Sequence, residues 1–281
     1  MWLILSLAAV FMFTTQNLLM RVLAVKSDHP RTFSFIFNSW GVLFAVLFFI
    51  IEHPSFTNIH PISWYQTALI AGAALGYGLY ERTHFLARKH LEASTTAVLF
   101  RLSPVIAFVG SIVFLHESLS LLKLLGAILL IGASLTIVRK NPNLRINHAV
   151  RIAIFSAAAL GGAWMLDKPA SAGIPVSFYS TAMWALPLPL IAFPAMNMKQ
   201  LQKEFRIGGW KVALTAFLNV FGFVLYLKAL SMADASRVVP IISSSAPLVL
   251  LGGIVLLNER AYMSRKLLAG LLMFIGILLL K

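Results

Sequence analysis

Apolar residues run through this chain in blocks of about twenty, separated by short polar connections. A helix rises about 1.5 Å per residue and the hydrocarbon layer is about 30 Å thick, so roughly 17 to 25 mainly apolar residues make one span. Ten blocks meet that length, near 2–20, 32–51, 64–87, 93–115, 119–138, 149–166, 174–194, 210–230, 234–257 and 263–280. The pattern predicts an all-α integral membrane protein with ten transmembrane helices. Most connections are short, which makes consecutive helices antiparallel neighbours. The longest, 195–209, carries Lys199, Lys203, Glu204 and Arg206 and reads as a surface helix or loop. Trp2, Trp64 and Trp210 open spans, where an indole suits the headgroup level. The first block has no basic leader and is too long for a cleaved signal, so it reads as a retained span.

The blocks repeat. Ala87, Ala93, Ser94 and Glu117 recur 142 positions later as Ala229, Ala235, Ser236 and Glu259. Pro104 recurs as Pro247, and Gly126 and Gly132 recur as Gly270 and Gly276. The unit is five spans, which divides the chain into 1–140 and 141–281 within one transmembrane body. Five is odd, so the second copy enters the membrane in the opposite direction and the halves have inverted topology. Two opposed copies of one design let a central site open to either side, which is the geometry of a transporter.

Composition sharpens this. At 59% hydrophobic and 11% charged residues, with a mean hydropathy of +0.87, no soluble core of this size could hide the apolar surface. The formal charge of +14 would suggest a nucleic-acid partner in a soluble protein. Here 17 of the 23 Lys and Arg fall in the five connections on one side and five on the other, so they read as orientation signals, and no nucleic-acid partner is expected. The absence of cysteine excludes disulfides, thiolate metal sites and cysteine nucleophiles. No metalloprotease, nucleophile-elbow, P-loop or dinucleotide motif occurs, and histidines such as His53, His60, His116 and His148 are scattered. No enzyme activity, cofactor or metal is expected.

The polar residues inside the blocks are the candidates for chemistry. Arg101 lies near the centre of the fourth span, where an arginine costs roughly 2.5–3.5 kcal/mol, so it should face protein or water. Glu81 is nearly level with it on the neighbouring third span, and Tyr77, Glu81 and His84 share a face there, with Tyr80 beside them. Two readings stand: a fixed ion pair that neutralises both charges, or a polar patch that holds the charged ends of a solute. Gln16 and Asn17 close a polar run, Thr14 to Asn17, in the first span. Asn38 on the second span, Trp164 on the sixth and Tyr179 and Trp184 on the seventh extend the set. Asn219 and Tyr226 on the eighth and Ser243, Ser244 and Ser245 on the ninth complete it. Pro104 and Pro247 fall near the middle of the fourth and ninth spans, where each removes a backbone donor and predicts a kink. Glu117 and Glu259, at span ends, read as structural groups that meet headgroup water or pair with Lys123 or Arg260.

The stretch 80–138, with Ala93-Ser94, Ser103-Pro104, His116-Glu117, Gly126 and Gly132, resembles the repeat of the EamA family of the drug/metabolite transporter superfamily. The stretch 226–280 is similar through Ala235-Ser236, Ala246-Pro247, Asn258-Glu259, Gly270 and Gly276. The resemblance implies a ten-span secondary transporter, a small-molecule solute and export in preference to uptake. It also implies both termini inside, whereas the charge count places them outside. The expectation is an alternating-access exporter of a small metabolite such as an amino acid, because Arg101 suits a carboxylate and Glu81 an ammonium. A lipophilic-cation or drug exporter, and a non-transporting membrane scaffold or assembly subunit, are the alternatives. Membrane lipids, a coupling ion or proton, a monomer and the bacterial inner membrane complete the expected setting.

Overall fold

The computed structural model describes residues 1–53, 62–115, 121–138, 147–232, 238, 241–242 and 244–279, and these are helices joined by short connections. In chain order they form α1 (Trp2–Lys26), α2 (Pro30–Glu52), α3 (Trp64–His90), α4 (Ala93–Leu99), α5 (Leu102–Leu115) and α6 (Leu121–Val138). There follow α7 (His148–Ala170), α8 (Val176–Ala185), α9 (Leu188–Ala192), α10 (Met198–Met232), α11 (Ser245–Val255) and α12 (Met263–Leu279). Among the described residues, five stretches are long and apolar enough to cross a membrane: Trp2–Lys26, Pro30–Glu52, Ala93–Phe114, His148–Asp167 and Met198–Ala229. Shorter apolar stretches run over Leu124–Ala133, Val176–Ala192 and Ser245–Val255. α3 has ample length, 27 residues, but its second half carries Glu81, Arg82, His84 and Arg88.

Local sequence explains where helices start and stop. The missing N–H of Pro30 is harmless at the first position of α2. Ser63 and Asn147 cap α3 and α7, their side-chain oxygens accepting the N–H of Gln66 at 3.1 Å and of Val150 at 2.9 Å. α10 is broken at Gly209, whose φ of 51° and ψ of −147° suit a residue without Cβ. The segment before the break lies where the surface helix is expected, and Trp210 begins the second part.

The fourth apolar block is not a kinked helix but an interrupted one. α4 ends at Leu99, Phe100 and Arg101 form a tight turn in which Arg101 N bonds Val98 O at 3.0 Å, and α5 starts at Leu102. Pro104 is the third residue of α5, where helical N–H groups have no partner to lose. Pro247 is likewise the third residue of α11, which follows Ser244. At Pro104, proline therefore starts the second piece of its block rather than bending a continuous rod.

Packing mixes the two ends of the sequence. α3 lies along α7, α1 along α10 and α6 along α12. The G-x-x-x-G at Gly72 and Gly76 makes the first contact close: a Cβ on Gly76 would sit 2.9 Å from the carbonyl oxygen of Ala159. Phe33, Phe37 and Phe85 interlock edge to face around the α2–α3 contact, and Gly41 leaves room for the indole of Trp184.

Candidate functional site

A cavity of about 210 Å³ lies in the middle of the bundle. It is walled by α1, α2, α3, the α4–α5 break, α7, α8, α10 and α11, and no described residue of α6 or α12 reaches it. Most of the candidates read from the sequence meet there: Gln16, Asn17, Asn38, Tyr77, Tyr80, Glu81, Arg101, Trp164, Trp184, Asn219, Tyr226 and Ser245. They come together because polar faces of separate helices turn away from lipid toward a region that can hydrate them.

The charged part of the wall is built from α3 outward. Glu81 Oε2 accepts from Asn38 Nδ2 at 2.9 Å and faces His84 Nε2 at 2.9 Å, with the Ser34 hydroxyl 3.5 Å away. Its charge is thus stabilised within the α2–α3 pair. On the far side of that histidine, Arg88 Nε donates to His84 Nδ1 at 3.2 Å and Nη2 donates to Asn17 Oδ1 at 2.8 Å. The Arg88 guanidinium also lies over the Phe100 ring, 5.0 Å from its centroid. Arg101, in the α4–α5 break, adds a second guanidinium to the same wall. Aromatic side chains form the rest: Phe13, Trp164, Trp184, Phe223 and Tyr226.

Three candidates lie elsewhere. His84 is fully buried behind the wall, stacked on Tyr80 at 4.5 Å, because it bridges Glu81 to Arg88. Tyr179 turns to Asp167, to which its hydroxyl donates at 2.6 Å. Ser244 bonds its own turn, its hydroxyl donating to Ile241 O at 2.6 Å, whereas its neighbour Ser245 lines the cavity. Ser243 lies outside the described residues.

Two residues of the site are not evident from the sequence. Arg88 reads as a connection charge, but α3 continues to His90 and carries it inward. Asp167 sits just past the expected end of the sixth block, and α7 continues to Ala170. There Tyr77 and Tyr179 each donate a hydroxyl to it, at 2.5 Å on Oδ2 and 2.6 Å on Oδ1.

One end of the bundle is closed by contacts between sequence-distant elements. The Glu259 carboxylate accepts from Ala93 N at 2.8 Å, Ser94 N at 3.0 Å and the Ser94 hydroxyl at 2.8 Å, and Arg21 Nε lies 3.8 Å away. It caps α4 instead of pairing with Arg260. Lys266 completes the closure, 2.6 Å from Glu92 and from the Glu259 carbonyl. Glu117, its counterpart in the repeat, lies outside the described residues.

A family model described as the EamA-like transporter family matches residues 1–139 and again 149–281. A solved structure titled only "Crystal structure of protein" superposes with a TM-score of 0.64, covering 98% of this chain and 94% of its own, at 14% identity. That likeness concerns the fold alone. No curated protein sequence matches the chain.

Proposed function

Because the chain belongs to the EamA-like transporter family, and is thereby an integral multi-pass membrane transporter of the drug/metabolite type, we propose that it moves a small amino-acid-like metabolite through the central cavity by alternating access. The observation that carries this reading is the pairing of Arg88 and Arg101 with an aromatic wall around about 210 Å³. Drug-sized ligands occupy pockets of about 300–1,000 Å³, so the volume favours a smaller solute. Two guanidiniums favour a carboxylate, and the Glu81 carboxylate, already held by Asn38 and His84, offers an ammonium its electrostatic counterpart. The aromatic side chains would receive the apolar body of the solute. The same arginines weigh against a lipophilic cation.

Export, the inner membrane of a bacterium, ten spans and inverted halves all belong to this proposal. The family match in both parts of the chain and the recurrence of Pro104 as Pro247 support it. Reconstitution in liposomes with a panel of labelled amino acids and organic cations tests it. Saturable flux of a carboxylate-bearing solute is expected. Flux of cations alone would replace the solute class, and flux of nothing on the panel would sink the reading.

A further inference from the structure

Asp167 is a carboxylate inside an apolar bundle, and a bare charge there is costly. Such groups are ordinarily matched by a cation. Here, among the described residues, the matching is done by two phenols: Tyr77 of α3 on one carboxylate oxygen and Tyr179 of α8 on the other. Among the described residues, Tyr226 of α10 is the further titratable group near enough to feel the Asp167 charge, and Lys168, next to it in α7, has its side chain outside the described residues. Gln66 closes the end of this site nearest the start of α3, its amide donating to Ala170 O at 3.1 Å and Ala172 O at 2.8 Å.

Geometry links this group to the cavity. Tyr77 belongs to the cavity wall and to Asp167 at once, and Trp164, one turn back on α7, lines the cavity too. A phenol can be drawn away by a competing acceptor, whereas a lysine partner would keep its charge beside the carboxylate. Once Tyr77 turns to a solute carboxylate, Asp167 keeps one donor instead of two, and the neutral acid gains relative to the charged form. A proton from cavity water then binds the vacated Oδ2 and returns to water when Tyr77 turns back.

We propose that Asp167 is a proton-binding site, read through Tyr77 by the occupant of the cavity, and that it carries a proton in the same direction as the solute, so that export down the solute's own gradient takes protons out with it. The proposal rests on the reading of a carboxylate-bearing solute for its purpose, but its chemistry can be tested without any flux. The chain has three aspartates, Asp28, Asp167 and Asp234, so selective ¹³Cγ labelling of aspartate gives three carboxyl signals by NMR in micelles. Asp167→Asn assigns its signal directly, and Asp28→Asn with Asp234→Asn assigns it by elimination where that variant does not fold. The Asp167 signal should titrate while the fold persists. Tyr77→Phe should displace the midpoint by about one pH unit, the scale of one hydrogen bond to a charged group, and Tyr65→Phe at the exposed start of α3 should not. A signal that stays constant with pH, or a midpoint indifferent to Tyr77→Phe, would overturn the proposal and leave a structural brace between α3, α7 and α8. Titration as expected, together with no flux of any solute on the liposome panel, would instead refute the amino-acid reading alone.

Discussion

Oε2 of Glu259 lies 3.0 Å from the backbone nitrogen of Ser94 and 2.8 Å from its hydroxyl, tying the connection after α11 to the first turn of α4. Glu259→Ala strands those donors and removes the carboxylate beside Arg21. A buried donor left unpaired costs about 1–3 kcal/mol, so the melting temperature in detergent should fall by several degrees. Glu259→Gln keeps one acceptor and should recover part of the loss. An unchanged melt for the alanine variant would show that the closure contributes nothing to stability.

Pro104→Ala and Pro247→Ala should each leave the protein at least as thermostable. Alanine supplies the N–H that lets α4 and α5, or the turn and α11, join into one helix. Transport should slow, because a continuous helix loses the joint beside the cavity. Parent-rate flux in either variant would reduce the interruption to a packing feature.

Arg101→Met should weaken uptake of carboxylate-bearing solutes by roughly 10- to 100-fold, the scale of one charge-assisted hydrogen bond. Combined with Glu81→Gln it separates two roles. If the charges only neutralise each other, the double variant regains both stability and transport. If Arg101 reads the solute, stability returns and transport does not. Amino-acid flux at the parent rate in the double variant would reject the assignment.

The turn before α2 supports a paired comparison. Glu204 is fully buried and accepts from Asp28 N at 2.9 Å and His29 N at 2.7 Å, whereas the Lys203–Asp28 pair at 2.7 Å is exposed. Glu204→Ala should cost about 1–3 kcal/mol in a thermal melt. Lys203→Ala should leave the melting temperature almost unmoved in ordinary salt. Lys203 holds the Asp28 carboxyl below its usual range, so any contribution of the pair is present above the ordinary aspartate value and fades as pH falls through the lowered one. A large loss on Lys203→Ala at neutral pH would contradict this ranking.

Much of the site could be read from residue type and depth. Polar groups within apolar blocks have few places to go, and Gln16, Asn17, Asn38, Glu81 and Arg101 went to the same one. What escaped the reading lay at block edges. Hydropathy ends the third block before Arg88 and the sixth before Asp167, but the helices run on until their hydrogen bonds end, at His90 and Ala170. Direction within a block was also illegible. His84 shares a face with Glu81 by spacing, yet which neighbour it meets depends on the rotation of α3 against α2 and α7, where Phe85 packs on Phe37 and Gly76 on Ala159. The prolines were found by position, but their effect was not: whether proline bends or begins a helix depends on where the preceding turn falls, here at Phe100 and Arg101, four and three residues before Pro104.

The extended contact between α3 and α7 also bears on how the chain is made. α3, with Glu81, Arg82 and Arg88 on board, is complete while the helix against which Gly72 and Gly76 pack has yet to leave the ribosome. The same holds for α1, whose long neighbour is α10, and for α6, which waits for α12. The amino-terminal half is therefore an unfinished object during synthesis, with its closest-fitting surfaces turned outward until translation ends. Expressed as separate pieces, the two halves should be short-lived alone and should rescue each other only when made together.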